Sequence, residues 1–266
     1  MWRQLNDDVG RRLVLAAPPG RVVSLVPSLT ELVCTLGRSD RLVGVTRYCS
    51  EPAEVVATLP KLGGTKNPDL EAIIGLAPDL VLVNAEETRH VDFQALIRAD
   101  LTVFVSFPRS LAATVGSIER LAEAIDASAP AAAMAREITA LLADPPDRRL
   151  RAFCPIWRKP WMAFNRDTYA HDLLCQAGAD NVCADRAERY PVVDLEAVAH
   201  ADPEVILLPD EPYPFAERHR SFLTPLSGTI AWQQGRIHFV DGKALSWYGH
   251  RTAPAVRDFR RLMAAG

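Results

Sequence analysis

The chain has 266 residues, of which 48% are hydrophobic, and it carries a net charge of −3 at pH 7. This length suits one large domain or two small ones, each with a core of its own. The slight negative charge argues against nucleic acid as a partner, and no apolar run reaches membrane-spanning length.

In the first half, short apolar runs alternate with amphipathic segments, a pattern typical of an α/β fold. Strands are predicted at 21–26, 41–45, 80–83 and 102–106, and helices at 29–37, 68–77, 91–98 and 111–125. Ser28 and Glu31 have the spacing of a capping box for the first of these helices. Pro68 is predicted to be the first residue of the second helix.

An alanine-rich segment at 130–142 lies between the two halves and favours a strong helix. Prolines at 145 and 146 end it, and it is interpreted as a rigid connecting helix. The second half repeats the alternation, with strands at 151–156, 205–208 and 237–240 and helices at 168–177 and 254–263. The predicted division is an N-terminal lobe at 1–128, a connecting helix and linker at 129–146, and a C-terminal lobe at 147–266.

One segment occurs twice. DLEAIIGLAPDLVLV begins at Asp69, and DLEAVAHADPEVILL begins at Asp194, which is an offset of 125 residues without a gap. Each copy predicts a short helix, a proline stop and a buried strand. A repeat of this period indicates two similar α/β lobes rather than a solenoid, whose repeats are shorter.

The N-terminus and the cysteines leave alternatives open. Residues 1–20 contain Asp7, Asp8, Arg11 and Arg12 and have no long apolar core, so they are not predicted to be a secretory signal. Either a signal has been removed or the protein stays in the cytoplasm. The five cysteines show no CxxC or zinc-like pairing, and a Cys175–Cys183 disulfide stays open.

Large aromatic side chains recur in loops that follow predicted strands, where open α/β sheets bind ligands. They suggest a cleft with aromatic walls and a few polar anchors, with Arg47 or Arg251 near its rim. The motifs GxSxG, HExxH and GxGxxG are missing, and the histidines form no metal-ligand cluster, so an enzyme, a metal site and an intrinsic cofactor are not predicted. The aromatic residues predicted to line this cleft are Tyr48, Trp157, Trp161, Tyr190, Trp247 and Tyr248.

Four segments, in this order along the chain, resemble the substrate-binding proteins of ABC importers for vitamin B12, haem and ferric siderophores. They are RVVSLVPSLTELVCTLG, LVGVTRYCSEP, NPDLEAIIGLAPDLVLV and YPVVDLEAVAHADPEVILL. The cobalamin-binding branch is the most similar. The resemblance implies two α/β lobes joined by one rigid helix, a periplasmic-binding-protein-like and chelatase-like architecture with the ligand held between the lobes.

The same resemblance implies partners and site residues. One glutamate on each lobe docks onto the membrane permease in this family, and the matching positions are Glu71 and Glu196. Tyr48 and Tyr190 match cleft positions of B12 binders, and Trp247, Tyr248 and Arg251 fall in the late cleft loop. The expected protein is a monomer, periplasmic or envelope-associated by resemblance. It would deliver cobalamin or another metal chelate to an ABC permease dimer without membrane insertion.

Two other functions compete with this one. A cytoplasmic carrier or sensor of the same kind of ligand would work without a permease, and the lack of a predicted signal in residues 1–20 favours it. A chelatase-like enzyme rests on fold analogy alone. Which chelate is bound, and whether a cognate permease exists, are questions that the sequence leaves open.

Overall fold

The computed structural model describes residues 3–265 of the chain. The chain divides into two compact units. Unit 1 comprises the described residues up to Pro108 together with Ala113–Glu137. Unit 2 comprises Arg109–Ala112 and the described residues from Ile138 onward.

The elements follow the predicted alternation closely. The strands are β1 Arg3–Asn6, β2 Arg12–Leu15, β3 Val22–Ser24, β4 Leu42–Val45, β5 Gly63–Gly64, β6 Asn67–Pro68, β7 Leu80–Asn84, β8 Val103–Ser106, β9 Leu150–Phe153, β10 Ala179–Asn181, β11 Val205–Pro209 and β12 Ile237–Val240. The helices are α1 Pro27–Thr35, α2 Ala53–Val56, α3 Leu70–Gly75, α4 His90–Arg98, α5 Leu111–Ala124, α6 Ser128–Leu142, α7 Tyr169–Gln176, α8 Leu195–His200, α9 Ile230–Gln233, α10 Gly242–Ser246 and α11 Thr252–Ala264. Two 3-10 segments span Ser39–Arg41 and Glu217–Leu226.

Each unit is built on its own four-stranded parallel sheet. The order is β4-β3-β7-β8 in unit 1 and β10-β9-β11-β12 in unit 2. Every residue of β7 and of β11 is buried, as expected for parallel strands that are covered on both faces. The two repeat copies therefore supply the third strand of two separate sheets, and the predicted α/β class with two similar lobes is confirmed.

The two repeat copies begin with the same kind of helix cap. Asp69 caps α3 by accepting the amide of Ala72 at 3.0 Å, and Asp194 caps α8 by accepting the amide of Glu196 at 3.3 Å. The helix of the first copy consequently begins one residue after Asp69. The prediction that Pro68 is its first residue is wrong, because Pro68 pairs with Gly63 in the short β5–β6 ladder.

The predicted capping box of α1 is also wrong. The helix begins at Pro27, and its N-cap is Val26, which has no side-chain cap bond. Proline fits the first helical position, because its missing N–H needs no partner there. Ser28 and Glu31 lie inside the helix and are buried.

Residues near the N-terminus fold into a hairpin that the sequence did not suggest. Strands β1 and β2 pair antiparallel, and the turn between them carries Asp8. The Asp8 carboxylate accepts the Arg120 guanidinium at 2.8 and 2.9 Å, the Ser117 hydroxyl at 2.5 Å and the Phe107 amide at 2.9 Å. The hairpin is therefore fastened to β8 and α5 as part of unit 1.

The predicted connecting segment is a helix, α6, and it starts two residues before the predicted 130. The boundary between the units falls inside it, between Glu137 and Ile138. At its C-terminal end, the Arg260 guanidinium donates to the Leu141 carbonyl at 2.9 Å and to the Gln176 carbonyl at 3.0 Å. These bonds fasten the last turn of α6 to the unit 2 core.

The five cysteines are free thiols in the structure, so the Cys175–Cys183 disulfide is not formed. Cys183 lies in the unit 2 core, whereas the Cys175 sulfur contacts Nε2 of His171 at 3.3 Å. Within residues 3–265, no helix is both long and apolar enough to cross a bilayer. The same residues contain no group of three or more His, Cys, Asp or Glu side chains placed to hold a metal ion.

Candidate functional site

The carboxyl edge of the unit 2 sheet carries a cluster of four aromatic rings. Trp157 and Trp161 follow β9, and Tyr213 and Phe215 follow β11. The Trp157 ring meets the Tyr213 ring edge to face with 5.6 Å between centroids, and Trp161 stacks on Phe215 at 5.8 Å. Two loops that are far apart in sequence thus form one aromatic cluster, in which Phe215 is buried as part of the unit 2 core.

Backbone pairing holds the tryptophans of this cluster in place. Trp157 and Met162 form an antiparallel bridge, so the chain between them turns back tightly on itself. The Val193 amide donates to the Trp161 carbonyl at 2.9 Å, which joins this turn to the residues just before α8. Trp157 remains 42% exposed, so the cluster offers ring surface to a ligand.

Beside the aromatic cluster lies a group of charged side chains around Trp247. Lys243 and Arg251 approach the Trp247 ring at 5.0 and 5.6 Å from its centroid, and Arg251 also pairs with Asp241 at 3.7 Å. The indole donates a hydrogen bond to Glu211. Trp247 is therefore held between two cations and a carboxylate rather than in an apolar core.

The Glu211 side chain is partly buried in this region. Burial raises its pKa above the ordinary value, Asp210 and Asp241 add to the rise, and Lys243 and the Trp247 bond oppose it. The loop meets the N-terminus of α10 closely, and Asp210 accepts the Gly242 amide at 2.7 Å. Only glycine fits position 242, because a Cβ there would overlap the carbonyl oxygen of Glu211.

The other predicted residues of unit 2 separate into exposed and buried positions. Tyr190 is exposed, and the Arg189 guanidinium lies 5.7 Å from its ring centroid while donating to the Asp167 carbonyl. Tyr248 is only 6% exposed and packs edge-on against Tyr169 at 6.0 Å. Tyr248 therefore occupies the position of a core residue in this unit.

In unit 1, the loop after β4 presents Tyr48, whose side chain is 58% exposed. The Arg47 guanidinium lies 5.7 Å from its ring centroid, and the Arg47 amide donates to the Gly63 carbonyl at 2.9 Å. A Cβ at Gly64 would lie 2.5 Å from the Asn67 side-chain oxygen and 3.0 Å from the Tyr48 ring, so a small residue is required there. The β5–β6 turn thus supports the loop that carries Tyr48.

Buried hydroxyl and thiol groups anchor the other side of the Tyr48 loop. The Cys49 sulfur lies 3.1 Å from the Thr30 hydroxyl and 3.2 Å from the Thr46 hydroxyl, and all three residues are buried. The Tyr48 amide donates to the Thr46 hydroxyl at 3.3 Å. This contact set is local to unit 1 and holds the aromatic residue outward.

A separate cavity of about 280 Å³ lies in unit 1 at the carboxyl ends of β7 and β8. It was not predicted, because the hairpin that roofs it was not predicted. Its walls are largely apolar, and the residues that line it include Val9, Val83, Thr88, His90, Phe93 and Val105.

Glu71 and Glu196 occupy equivalent positions in the first turns of α3 and α8. Both are solvent-exposed, as predicted, and neither carboxylate forms an ion pair within residues 3–265. Ile74, three residues after Glu71 in the sequence, is also exposed, and so is Val192, four residues before Glu196. Each unit therefore presents one exposed carboxylate in the first turn of its repeat helix.

Sequence reasoning identified most of the aromatic residues but missed some of their partners. It did not single out Phe215, which stacks on Trp161, or Lys243, which lies over Trp247. Both follow strands of the sheet, β11 and β12, and that position is the signal that could have found them.

Comparison with known proteins agrees with this architecture. The periplasmic binding protein family model matches residues 22–222. A vitamin B12-binding protein of Vibrio parahaemolyticus is 29% identical over 194 residues, which cover 71% of this chain and 70% of the relative. YvrC of Bacillus subtilis, an uncharacterized ABC transporter substrate-binding lipoprotein, is 27% identical over 267 aligned residues, which cover 96% of this chain and 83% of the relative.

The fold is also similar to that of a solved structure. The periplasmic vitamin B12 binding protein BtuF of Vibrio cholerae superposes with a TM-score of 0.81 at 22% identity, covering 93% of this chain and 98% of that chain. The family and these relatives are binding proteins, not enzymes. Since the family model matches well over half of the chain, this protein belongs to the periplasmic binding protein family.

Proposed function

We propose that this protein is a substrate-binding protein that captures a metal chelate, with cobalamin as the first choice, and delivers it to an ABC importer. The named relatives support the function as a binding protein of an importer. The unit 2 aromatic cluster supports the choice of cobalamin as the ligand. A flat conjugated macrocycle is best held by ring surfaces such as that of Trp157.

The charges beside the cluster support a corrinoid over a carboxylate-bearing chelate. Asp210, Glu211 and Asp241 lie together near Trp247, and carboxylates accept hydrogen bonds from amide N–H groups. The periphery of a corrin ring carries neutral amides. A site that combines these acids with Lys243 and Arg251 can bond both the N–H groups and the carbonyl oxygens of such amides, whereas the propionates of haem would bond to the two cations alone.

Delivery to a permease is assigned to Glu71 and Glu196. Both carboxylates are exposed at the start of a helix, and two simultaneous ion pairs with arginines would bind more tightly than either one alone. Such a protein works in the periplasm or at the outer face of the cell envelope, and we place this chain there.

The test is a visible spectrum of the purified protein after separate incubation with cobalamin, haem and a ferric siderophore, followed by desalting. Retention of the cobalamin bands alone is expected. Retention of haem or the siderophore in place of cobalamin would overturn the ligand assignment. If all three are lost on desalting, the proposal of a chelate-binding protein fails.

The spectrum is repeated with Trp157→Ala and with Phe239→Ala. Both residues are exposed aromatics of unit 2, but Phe239 lies on β12 and outside the aromatic cluster. Loss of cobalamin from the first variant and retention by the second would tie binding to the cluster. If both variants retain cobalamin equally, the ligand does not bind at the aromatic cluster.

A further inference from the structure

Unit 2 carries a basic and aromatic surface along its edge strand. Strand β12 is the last strand of the sheet, and the segment Glu217–Leu226 reaches it through Arg220, whose guanidinium contacts the Phe239 ring. We call this region the β12 surface. It consists of four arginines and two phenylalanines, namely Arg158, Arg218, Arg220, Arg236, Phe222 and Phe239.

Cation–π contacts connect these residues. The Arg158 guanidinium carbon lies 3.5 Å from the centroid of the Phe222 ring, and that of Arg220 lies 5.9 Å from the Phe239 ring. The two rings are nevertheless 44% and 38% exposed. Each phenylalanine therefore presents apolar surface to solvent directly beside a fixed positive charge.

Two histidines each lie close to two of these four arginines. Burial lowers the pKa of His219, and Arg218 and Arg158 lower it further. Burial also lowers the pKa of His238, with Arg220 and Arg236 adding to the effect. Each histidine thus has two arginines near enough to disfavour its own positive charge.

The local charge is opposite to that of the whole chain. The protein carries −3 overall, whereas this surface concentrates four arginines. Glu217 pairs with Arg220 at 2.9 Å, but the Glu217 carboxylate is mostly exposed. The pair therefore removes little of the positive electrostatic potential of this surface.

Protection of an edge strand explains only part of this arrangement. Charged side chains on edge strands prevent pairing with other sheets, and Arg220 serves that purpose beside β12. Edge protection does not require two exposed phenyl rings, which would instead favour association. A partner that offers negative charge and an apolar layer close together accounts for both features.

We propose that the β12 surface docks the protein onto an anionic lipid membrane surface. Guanidinium groups pair with lipid phosphates through paired N–H donors, and aromatic rings insert at the boundary between headgroups and acyl chains. An acidic protein would satisfy the arginines but would leave the phenyl rings without an apolar layer. Docking at the membrane would raise the concentration of the protein near a membrane-bound partner.

The test is co-sedimentation of the full-length protein with phosphatidylcholine vesicles prepared with and without phosphatidylglycerol. Binding is expected only to the vesicles that contain phosphatidylglycerol, and it should disappear at high salt. In the double variant Arg218→Glu and Arg220→Glu, the partition coefficient should fall at least about 25-fold, since each basic residue contributes a factor of about five. Phe222→Ser should weaken binding without changing its dependence on salt.

The matched control reverses two exposed arginines of unit 1, Arg98→Glu with Arg136→Glu, and so changes the net charge equally. Its vesicle binding should stay within about twofold of wild type. The proposal is overturned if wild type ignores phosphatidylglycerol vesicles, or if both double variants lose binding alike. Binding to poly-glutamate without binding to vesicles would assign the surface to an acidic protein and would equally reject the lipid.

Discussion

The two units share a framework but differ in what they present at the carboxyl edges of their sheets. In both repeat copies an aspartate caps the helix, and the residue that ends the helical turn, Ala77 or Asp202, adopts a left-handed backbone with φ of 42° or 45°. Two positions later an acid, Asp79 or Glu204, accepts a backbone amide from the neighbouring strand at 2.8 or 3.0 Å. The same local structure therefore arises twice from 15 aligned residues.

An arginine completes each copy, although it lies outside the repeated segment. Arg21 donates to the Leu76 carbonyl at 2.7 and 2.9 Å, and Arg151 donates to the Asp202 carbonyl at 2.8 Å. Both bind carbonyls at the end of the repeat helix, where unpaired acceptors accumulate. The two copies thus use the same kinds of hydrogen bond, although the carbonyl that accepts from the arginine lies one position later in the second copy.

The loops after the strands show no such equivalence. In unit 1 the loop after β4 presents one exposed tyrosine, Tyr48, on a small glycine-containing turn. In unit 2 the loops after β9 and β11 form the four-ring cluster that includes Trp157 and Trp161. The comparison teaches that the repeat specifies the scaffold, whereas ligand chemistry depends on loops that differ between the units.

The largest expected effect concerns the equivalent carboxylates, Glu71 and Glu196. Reversing both to arginine should reduce uptake by a reconstituted importer more than tenfold, because each attraction to a permease arginine becomes a repulsion. Cobalamin binding by the isolated protein should stay within twofold of wild type. Uptake of radiolabelled cobalamin into proteoliposomes measures the effect.

The matched control for this variant reverses two other exposed carboxylates, Glu119→Arg in unit 1 and Asp147→Arg in unit 2. Its uptake should resemble that of wild type. Equal uptake by both double variants would show that the repeat positions have no special role in docking.

The second largest expected effect compares how much the carboxyl edges of the two sheets contribute to cobalamin binding. Trp157→Ala is expected to weaken cobalamin affinity about tenfold or more, since it removes a large ring and the contact with Tyr213. Tyr48→Ala should reduce the affinity less. Among the described residues, the Tyr48 ring packs against no other aromatic ring and has the Arg47 guanidinium beside it instead. Isothermal titration of each variant gives the ratio, and a larger loss from Tyr48→Ala would reverse the proposed ranking of the two edges.

The smallest effect tests the framework itself. Ala77→Gly should stabilise the protein by about 1 kcal/mol, because alanine is strained at positive φ and glycine is not. Asp202→Gly should give no gain, since the Asp202 carboxylate accepts the Ile230 amide at 2.9 Å and contacts Arg151. Urea unfolding measures both changes in the free energy of unfolding.

Ala197→Gly on the exposed face of α8 is the control for the framework test. It should destabilise by about 0.5–1 kcal/mol, because glycine within a helix loses more backbone entropy than alanine. A loss of stability in Ala77→Gly comparable to that of the control would contradict the strain argument.

Much of the scaffold was predictable because its signals are local. Apolar runs of four or five residues, such as β7 and β11, predicted buried strands, and the shared D-L-E-A opening predicted two equivalent exposed glutamates. The predicted boundaries of most helices and strands lie within one to three residues of the structure. Periodicity and turn chemistry suffice for such features, since they depend on neighbours along the chain.

Other features depended on contacts between distant segments. The cap of α1 could not be assigned from Ser28 and Glu31, because Pro27 starts the helix and packing buries both side chains. The hairpin β1–β2 has no strong local pattern and is held by Asp8 to residues about a hundred positions away. Tyr248 was predicted to be a cleft aromatic, but it packs against Tyr169 in the core.

The sequence by itself determined the fold class, the duplication and the position of one exposed carboxylate per repeat, because hydrophobic periodicity and capping act over a few residues. Only the tertiary structure decided which aromatic side chains stack with one another and which are buried. The tertiary structure also decided which arginines lie close together along β12, since these arginines are far apart in the sequence. The physical reason is that burial and charge clustering arise only when distant segments pack together. The residues next to a side chain in the sequence do not indicate which distant residues it will contact.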